Sequence, residues 1–187
     1  PQEDTAMFYQ KEITLKDGRR CLLRSCTAQD GQAMLEIYNR AHEETDFLLS
    51  YPDENTFTVQ QESEFLAQKA ASENEIEILA FVDGVLAGTA GISAIGRKYK
   101  VCHRAEFGIS IVQDFWHLGI GKALTESCIS CARQAGYRQL ELDVVADNTN
   151  AMALYKSFGF TEFGRNPKGF LSRLTGYQEL VYMRLEL

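Results

Sequence analysis

No hydrophobic run in this 187-residue chain approaches the roughly 18 to 20 apolar residues that cross a bilayer, so no membrane partner is expected. Low-complexity tracts and internal repeats are also missing, which leaves little room for a long disordered segment. Basic charge is short: the formal net charge is −7, and such a balance disfavours a nucleic-acid surface. The chain starts with acidic Glu3 and Asp4 in place of a basic stretch followed by an apolar one. It therefore does not read as a secretory signal, and the cytoplasm is the default expectation. Five cysteines are an odd count, which argues for reduced thiols over a disulfide framework. Cys128 and Cys131 form a C-x-x-C without the second ligand pair that zinc needs, and packing explains the spacing. The three histidines supply no metal motif, because Asp46 stands where His42-Glu43 would need a histidine to complete H-E-x-x-H. No metal site is expected.

What is present is ordinary for a globular protein. Hydrophobic residues make up 45% and charged residues 24%, and the length suits one domain, residues 1–187, with a sizeable core. Residues 13–15 and 21–23 flank a polar connection containing Asp17-Gly18, a hairpin signal. Between residues 28 and 71 apolar residues recur at helical spacing on either side of Pro52, which gives two helices joined by a loop. Residues 76–82 and 85–95 form a second hairpin across Asp83-Gly84, and a third strand runs over residues 101–112. Gly88 and Gly91 hint at bulges or close backbone approach. Ile120, Leu124, Cys128, Cys131 and Ala135 share one face of a helix that stops at Gly136. A strand through Leu140, Leu142 and Val144 follows, then a short helix between Asn148 and Gly159. Two final strands, residues 160–163 and 177–187, flank a polar loop. The order ββ-αα-βββ-α-β-α-ββ gives an α/β sandwich on a mixed, central β-sheet flanked by helices.

The stretch ISIVQDFWHLGIGKAL, residues 109–124, is a strand, a glycine-bearing turn and a helix. It aims free backbone N–H groups and the positive end of a helix dipole at one spot, which suits an anion such as a pyrophosphate. Gly119 and Gly121 would keep side chains out of the way of phosphates, and Lys122 adds charge. A P-loop is excluded because it would need glycine at Trp116, and a dinucleotide fingerprint because it would need glycine at Leu124. About thirty residues later, DNTNAMALYKSFGF, residues 147–160, again joins a strand end to a helix start.

Together these segments resemble the GCN5-related N-acetyltransferase (GNAT) family, with its [Q/R]-x-x-G-x-[G/A] loop and its N-x-x-A-x-x-L-Y-x-x-x-G-F motif. The second is matched at Asn148, Ala151, Leu154, Tyr155, Gly159 and Phe160, and the resemblance covers residues 76–163. Trp116 departs from it, standing where the family has Gln or Arg. The resemblance implies a GNAT-like fold and acetyl-CoA as co-substrate, held in a V-shaped opening between the strands that end at Val112 and near Val145. The pantetheine arm would pair with backbone at Ile111 and Val112. The pyrophosphate would rest on His117, Leu118, Gly119, Ile120, Gly121 and Lys122. Asn148 would reach the cofactor arm, a role compatible with capping the helix. Tyr155 would act as general acid toward the departing thiolate. As base the carboxylates rank Glu106 first, then Asp143, then Glu141.

The implied function is transfer of acetyl to a primary amine of a small molecule by direct attack. The alternatives are a protein N-terminal or lysine acetyltransferase and a non-catalytic acyl-CoA-binding sensor. Family members pair through terminal strands, which leaves a homodimer open. The resemblance builds the acceptor pocket from the first two helices, their connection and the last loop. Glu43, Glu44, Asp46, Asp53 and Glu54 of the connection, with Phe47, Leu48, Tyr51 and Phe57, would suit a cationic amine, or would form a solvated loop over a few core aromatics. Arg165, Asn166, Lys168 and Arg173 of the last loop would suit a carboxylate on the acceptor, or would keep that loop soluble.

Overall fold

A computed structural model describes residues 5–187. The acidic start of the chain, Glu3 and Asp4, lies outside the described residues.

Eight strands form one sheet, ordered β1-β2-β3-β4-β5-β6-β8-β7. The hairpins come first. β1 (Gln10–Thr14) and β2 (Arg20–Ser25) are joined where the Asp17 carboxylate accepts the N–H of Arg19 at 3.0 Å. β3 (Ile76–Val82) and β4 (Val85–Ala94) turn through Asp83 and Gly84, both at positive φ, the geometry that matches strand twist in a two-residue turn. β5 (Arg104–Ile111) continues antiparallel to β4. β6 (Gln139–Val145) then lies parallel to β5 and antiparallel to β8 (Gly176–Glu186), with β7 (Thr161–Ser172) at the edge.

Each helix starts where a side chain can take its orphan N–H groups or where glycine permits a turn. α1 (Gly31–Glu44) follows a short 3-10 turn in which Asp30 accepts the Thr27 N–H at 2.7 Å. α2 (Val59–Ala70) opens on a reciprocal capping box: Thr58 accepts from the Gln61 N–H, and Gln61 from the Thr58 N–H. α3 (Ile120–Gln134) follows Gly119, and α4 (Thr149–Ser157) follows Asn148. The stops at Gly136 and Gly159 both have positive φ, as the sequence led us to expect.

Alternation along β3 splits the core. Ile78 and Ala80 belong to the larger cluster with Leu124 and Cys128 of α3, whereas Leu79 joins Met34, Ile37 and Leu66 of α1 and α2. α1 and α2 therefore cover one face of the sheet, and α3 and α4 the other. The element order agrees with the sequence reading, and Cys128 and Cys131 are buried packing residues.

The C-terminal hairpin is the correction. Residues 164–172, expected to lie largely in a polar loop, continue β7, so that only residues 173–175 turn. Pro167 cannot donate to a ladder, yet it is tolerated because β7 is an edge strand and its pairing with β8 skips from Asn166 to Phe170. Ser172 closes the turn, its hydroxyl oxygen accepting the N–H groups of Leu174 and Thr175 at 3.0 and 3.2 Å.

Candidate active site

The site begins where β5 and β6 part. Their parallel pairing covers Arg104–Gln139, Ala105–Leu140 and Glu106–Glu141 and then ends, while each strand runs on. Val112 donates its N–H to Ala87 on the β4 side at 3.0 Å. By alternation, the backbone of Ile109 and Ile111 faces the gap that β6 has left. Of the two residues singled out for backbone pairing, only Ile111 therefore faces the opening. Both polar groups of the Val112 backbone are taken, since its C=O accepts the Phe115 N–H at 3.0 Å. Ile109, which the sequence reading passed over, also faces the opening; counting every second residue back from Ile111 would have found it. The Ile111 C=O accepts the Trp116 indole N–H at 2.7 Å, so Trp116 braces the mouth of the opening from its own side chain.

At that mouth the chain makes a 3-10 turn (Gln113–Phe115) and enters α3 through His117, at φ 62°, and Gly119, at φ 98°. A β-carbon at Gly119 would be held in a left-handed conformation, which is why glycine serves there. No described side chain caps α3, so the first-turn N–H groups of Ile120, Gly121 and Lys122 point outward without intrahelical partners. His117 and Lys122 are exposed, and Leu118 and Gly119 half-buried. A β-carbon at Gly121 would meet the Ile111 and Leu154 side chains at 3.4 and 3.5 Å, ordinary van der Waals contact, so packing alone does not require glycine there. Lys16, unnoticed in the sequence, ties the β1–β2 turn to this loop by donating its N–H to the Leu118 C=O at 3.1 Å.

Across the gap, Asn148 caps α4, its side-chain oxygen accepting the Ala151 N–H at 3.4 Å. Tyr155 lies one helical face on, edge-on to Phe107 of β5 with centroids 6.1 Å apart and tilted against Phe160 at 5.9 Å. Burial pushes its phenol up to about 12, so it stays protonated at neutral pH. None of the described hydrogen bonds involves its hydroxyl.

The three carboxylates considered as base share one sheet face but not one environment. Arg104 clamps Glu141 at 2.5 and 2.8 Å and holds it below the usual carboxylate range, which makes it a poor base. Burial and the nearby charge of Glu141 push Asp143 up. Burial, Asp143 and Glu141 push Glu106 up. Glu106 alone of the three lines a cavity of about 540 Å³ between the sheet, α1 and α2.

That cavity has a polar floor and aromatic walls. Register places Glu77, Gly91 and Gly108 in one row across β3, β4 and β5, with Thr89–Ser110 and Ser93–Glu106 on either side. Tyr38 and His42 stack at 3.9 Å on the α1 wall, and Phe57 and Phe65 stand at the rim. Among the carboxylates of the α1–α2 connection, those the structure engages are structural. Asp46 accepts from Tyr51, Ser172 and Gln178, Asp53 from Arg173, Glu54 from the Tyr51 N–H, and Glu44 from Arg40 and the Gln113 N–H. The last hairpin's cations are engaged likewise: Arg165 pairs with Glu162 and Glu179, and Arg173 with Asp53. The carboxylates that do face the cavity are Glu62, Glu77 and Glu106. Among the described residues no cluster suits a metal ion, and no helix is long and apolar enough to cross a membrane.

Comparison with known proteins joins these observations. The acetyltransferase (GNAT) family matches residues 31–160. A GNAT-family acetyltransferase from Streptococcus pneumoniae superimposes with a TM-score of 0.85 and 30% identity, covering 89% of this chain and 99% of that one. A phosphinothricin acetyltransferase from Sinorhizobium meliloti, in complex with acetyl-CoA, shares the fold at a TM-score of 0.78 and 18% identity, over 94% of this chain and 89% of that one. The L-amino acid N-acetyltransferase AaaT of Escherichia coli is 27% identical over 69% of this chain and 80% of its own length. An alanine N-acetyltransferase of ribosomal protein bS18 from Escherichia coli is 32% identical over 43% of this chain and 54% of its own. An N-acetyltransferase from Dictyostelium discoideum is matched over only 29% of its length.

Proposed function

Because the chain belongs to the acetyltransferase (GNAT) family, we propose that it is an acetyl-CoA-dependent N-acetyltransferase whose acceptor is a primary amine of a small molecule. One observation carries this reading: β5 runs from the acceptor cavity, which it lines from Glu106 to Ser110, directly into the anion cradle that begins after Ile111. Donor and acceptor would thus meet along a single strand, at the point where β6 leaves it.

The residues present fit acetyl-CoA. The bare N–H groups of the first turn of α3, with Lys122 beside them, would take the pyrophosphate. The backbone of Ile109 and the N–H of Ile111, whose C=O already accepts the Trp116 indole N–H, would pair with the amides of the pantetheine arm, and Asn148 would border it. Bound there, acetyl-CoA supplies an activated acyl group.

The chain's own residues supply proton handling. Glu106, ionised, accepts a proton from the acceptor ammonium, because only the neutral amine can attack a carbonyl. Tyr155, kept protonated by its raised pKa, donates to the departing sulfur as negative charge builds there. The C–N bond forms as the C–S bond breaks, and the second proton leaving nitrogen restores the one Tyr155 gave to sulfur; no residue is acylated, so the buried cysteines need no part. A pocket walled by two helices supports a small acceptor over a protein terminus, which would need an open groove.

Radiolabelled acetyl-CoA, added with the purified protein to a cell extract and followed by size separation, tests the reading. Label in small molecules is expected. Label in macromolecules would replace it with protein acetylation, and acetyl-CoA binding without any labelled product would leave a sensor.

A further inference from the structure

The acceptor cavity has a charge pattern that its neighbourhood does not balance. Glu77 is the single charged residue in β3, IEILAFV, and its carboxylate lies across Gly91, where a β-carbon would collide with it. The Thr89 hydroxyl donates to it from the same floor. Glu62 faces it from α2, and Glu106 stands on the floor two strands away.

No lysine or arginine lines this space among the described residues. Lys69 lies behind it, but the three donors of its ammonium are spent on Glu75, the Ile92 C=O and the Ser93 hydroxyl, at 3.0, 3.1 and 2.5 Å. His42 is the remaining basic group. Its Nδ1 lies 2.7 Å from the Tyr38 C=O, and burial lowers its pKa, so it is neutral near pH 7 and offers Nε2 as an acceptor. Burial pushes Glu77 and Glu62 up, and for Glu77 this outweighs the Thr89 hydroxyl and the Lys69 charge that draw it down, so a cation beside either is welcomed by an under-solvated carboxylate. The aromatic walls add faces on which a cation can rest.

We propose that the acceptor is a small dication, a primary amine with a second positive group on a short aliphatic chain. The reactive amine meets Glu106, and the second charge sits between Glu77 and Glu62. The inference rests on the acetyltransferase reading above and narrows its substrate class. It excludes simple α-amino acids, whose carboxylate would find no cationic partner in the lining and would face glutamates. Glu77 and Glu62 then determine specificity, and the reaction that supplies the substrate is one that leaves an amine at each end of a chain, such as decarboxylation of a basic amino acid.

Matched trios test this directly. On two-, four- and six-carbon chains, one end carries a primary amine and the other an ammonium, a methyl or a carboxylate group; 1,4-diaminobutane, butylamine and 4-aminobutanoate are the middle set. CoA release is followed with a thiol reagent, and acetyl-CoA binding is measured in the same sample by thermal shift. In at least one trio kcat/KM should fall from diamine to monoamine to amino acid. Glu77→Gln, and separately the surface-helix variant Glu62→Gln, should cut the diamine-to-monoamine ratio by about 10- to 100-fold, the worth of a charged hydrogen bond. Equal or better use of the monoamine or the amino acid overturns the inference, as does an unchanged ratio in both variants. Acetyl-CoA binding with no diamine acetylated in any trio also overturns it while the cofactor reading stands. No acetyl-CoA binding at all would instead sink that reading.

Discussion

Replacing Tyr155 by phenylalanine separates chemistry from packing. The ring's contacts with Phe107 and Phe160 survive the change, and the hydroxyl has no described hydrogen-bond partner to leave stranded. Folding stability should therefore stay within about 1 kcal/mol of wild type. The proton donor, however, is gone. Loss of a positioned acid costs about 10²- to 10⁴-fold in kcat, or roughly 2.7 to 5.4 kcal/mol of barrier. Acetyl-CoA affinity, followed through the chain's single tryptophan, Trp116, at the mouth of the opening, should change less than about threefold because the phenol is not asked to bind the ground state. The pH profile offers an internal check. With its pKa pushed up to about 12, Tyr155 keeps its proton through pH 10, so wild-type kcat should show no alkaline fall below that point. Steady-state CoA release across pH 6 to 10 measures both. A variant with kcat within threefold of wild type and an unchanged melting temperature would refute the general-acid assignment.

Two further outcomes follow from the carboxylates. Glu106 must be ionised to act, and its pKa is raised by burial, Asp143 and Glu141, so kcat/KM should climb with pH through a limb above the ordinary carboxylate range; Glu106→Gln should lower it about 10²- to 10⁴-fold and abolish that limb, whereas a surviving limb would assign it to another group. Asp30 is pushed up by burial, but the paired Arg24 guanidinium and the Thr27 N–H outweigh this and hold it low. Its contribution is thus complete above the unfolded carboxylate pKa of about 3.9 and lost as pH falls through the lower folded value. Asp30→Asn should cost about 2–4 kcal/mol in urea unfolding at pH 7 and flatten the acid side of the stability curve; an unchanged midpoint at pH 7 would show that the pair contributes nothing.

Most of the architecture could be read from local signals. The Asp83-Gly84 turn, the glycine stops of α3 and α4 and the strand-to-helix turn at Gly119 each act over a few residues, and each is where the sequence placed it. The extent of β7 was not legible, because its polar residues and Pro167 resemble a loop until β8 lies beside them. The partners of the acidic connection were not legible for a similar reason. The acidic α1–α2 connection invites a cation, yet Asp46 is taken by Ser172 and Gln178, more than 120 residues away, and nothing local announces such partners. Conversely, Glu77 is a lone charge in an apolar strand, a visible anomaly. Its meaning depends on register, which sets Gly91 and Gly108 beside it and opens the floor.

The central claim is that acetyl-CoA binds with its pyrophosphate on the N-terminus of α3, and thermal unfolding of wild type and Lys122→Glu with and without acetyl-CoA tests it most directly. At 100 times its dissociation constant the ligand should add about 2.7 kcal/mol, raising the wild-type melting temperature by roughly 5–10 °C. Lys122 is exposed in the first turn of α3, where a glutamate complements the helix dipole, so the unliganded variant should melt no lower than wild type while its acetyl-CoA shift falls by half or more. An equal shift in both proteins would move the cofactor off this loop, and no shift in either would contradict the account.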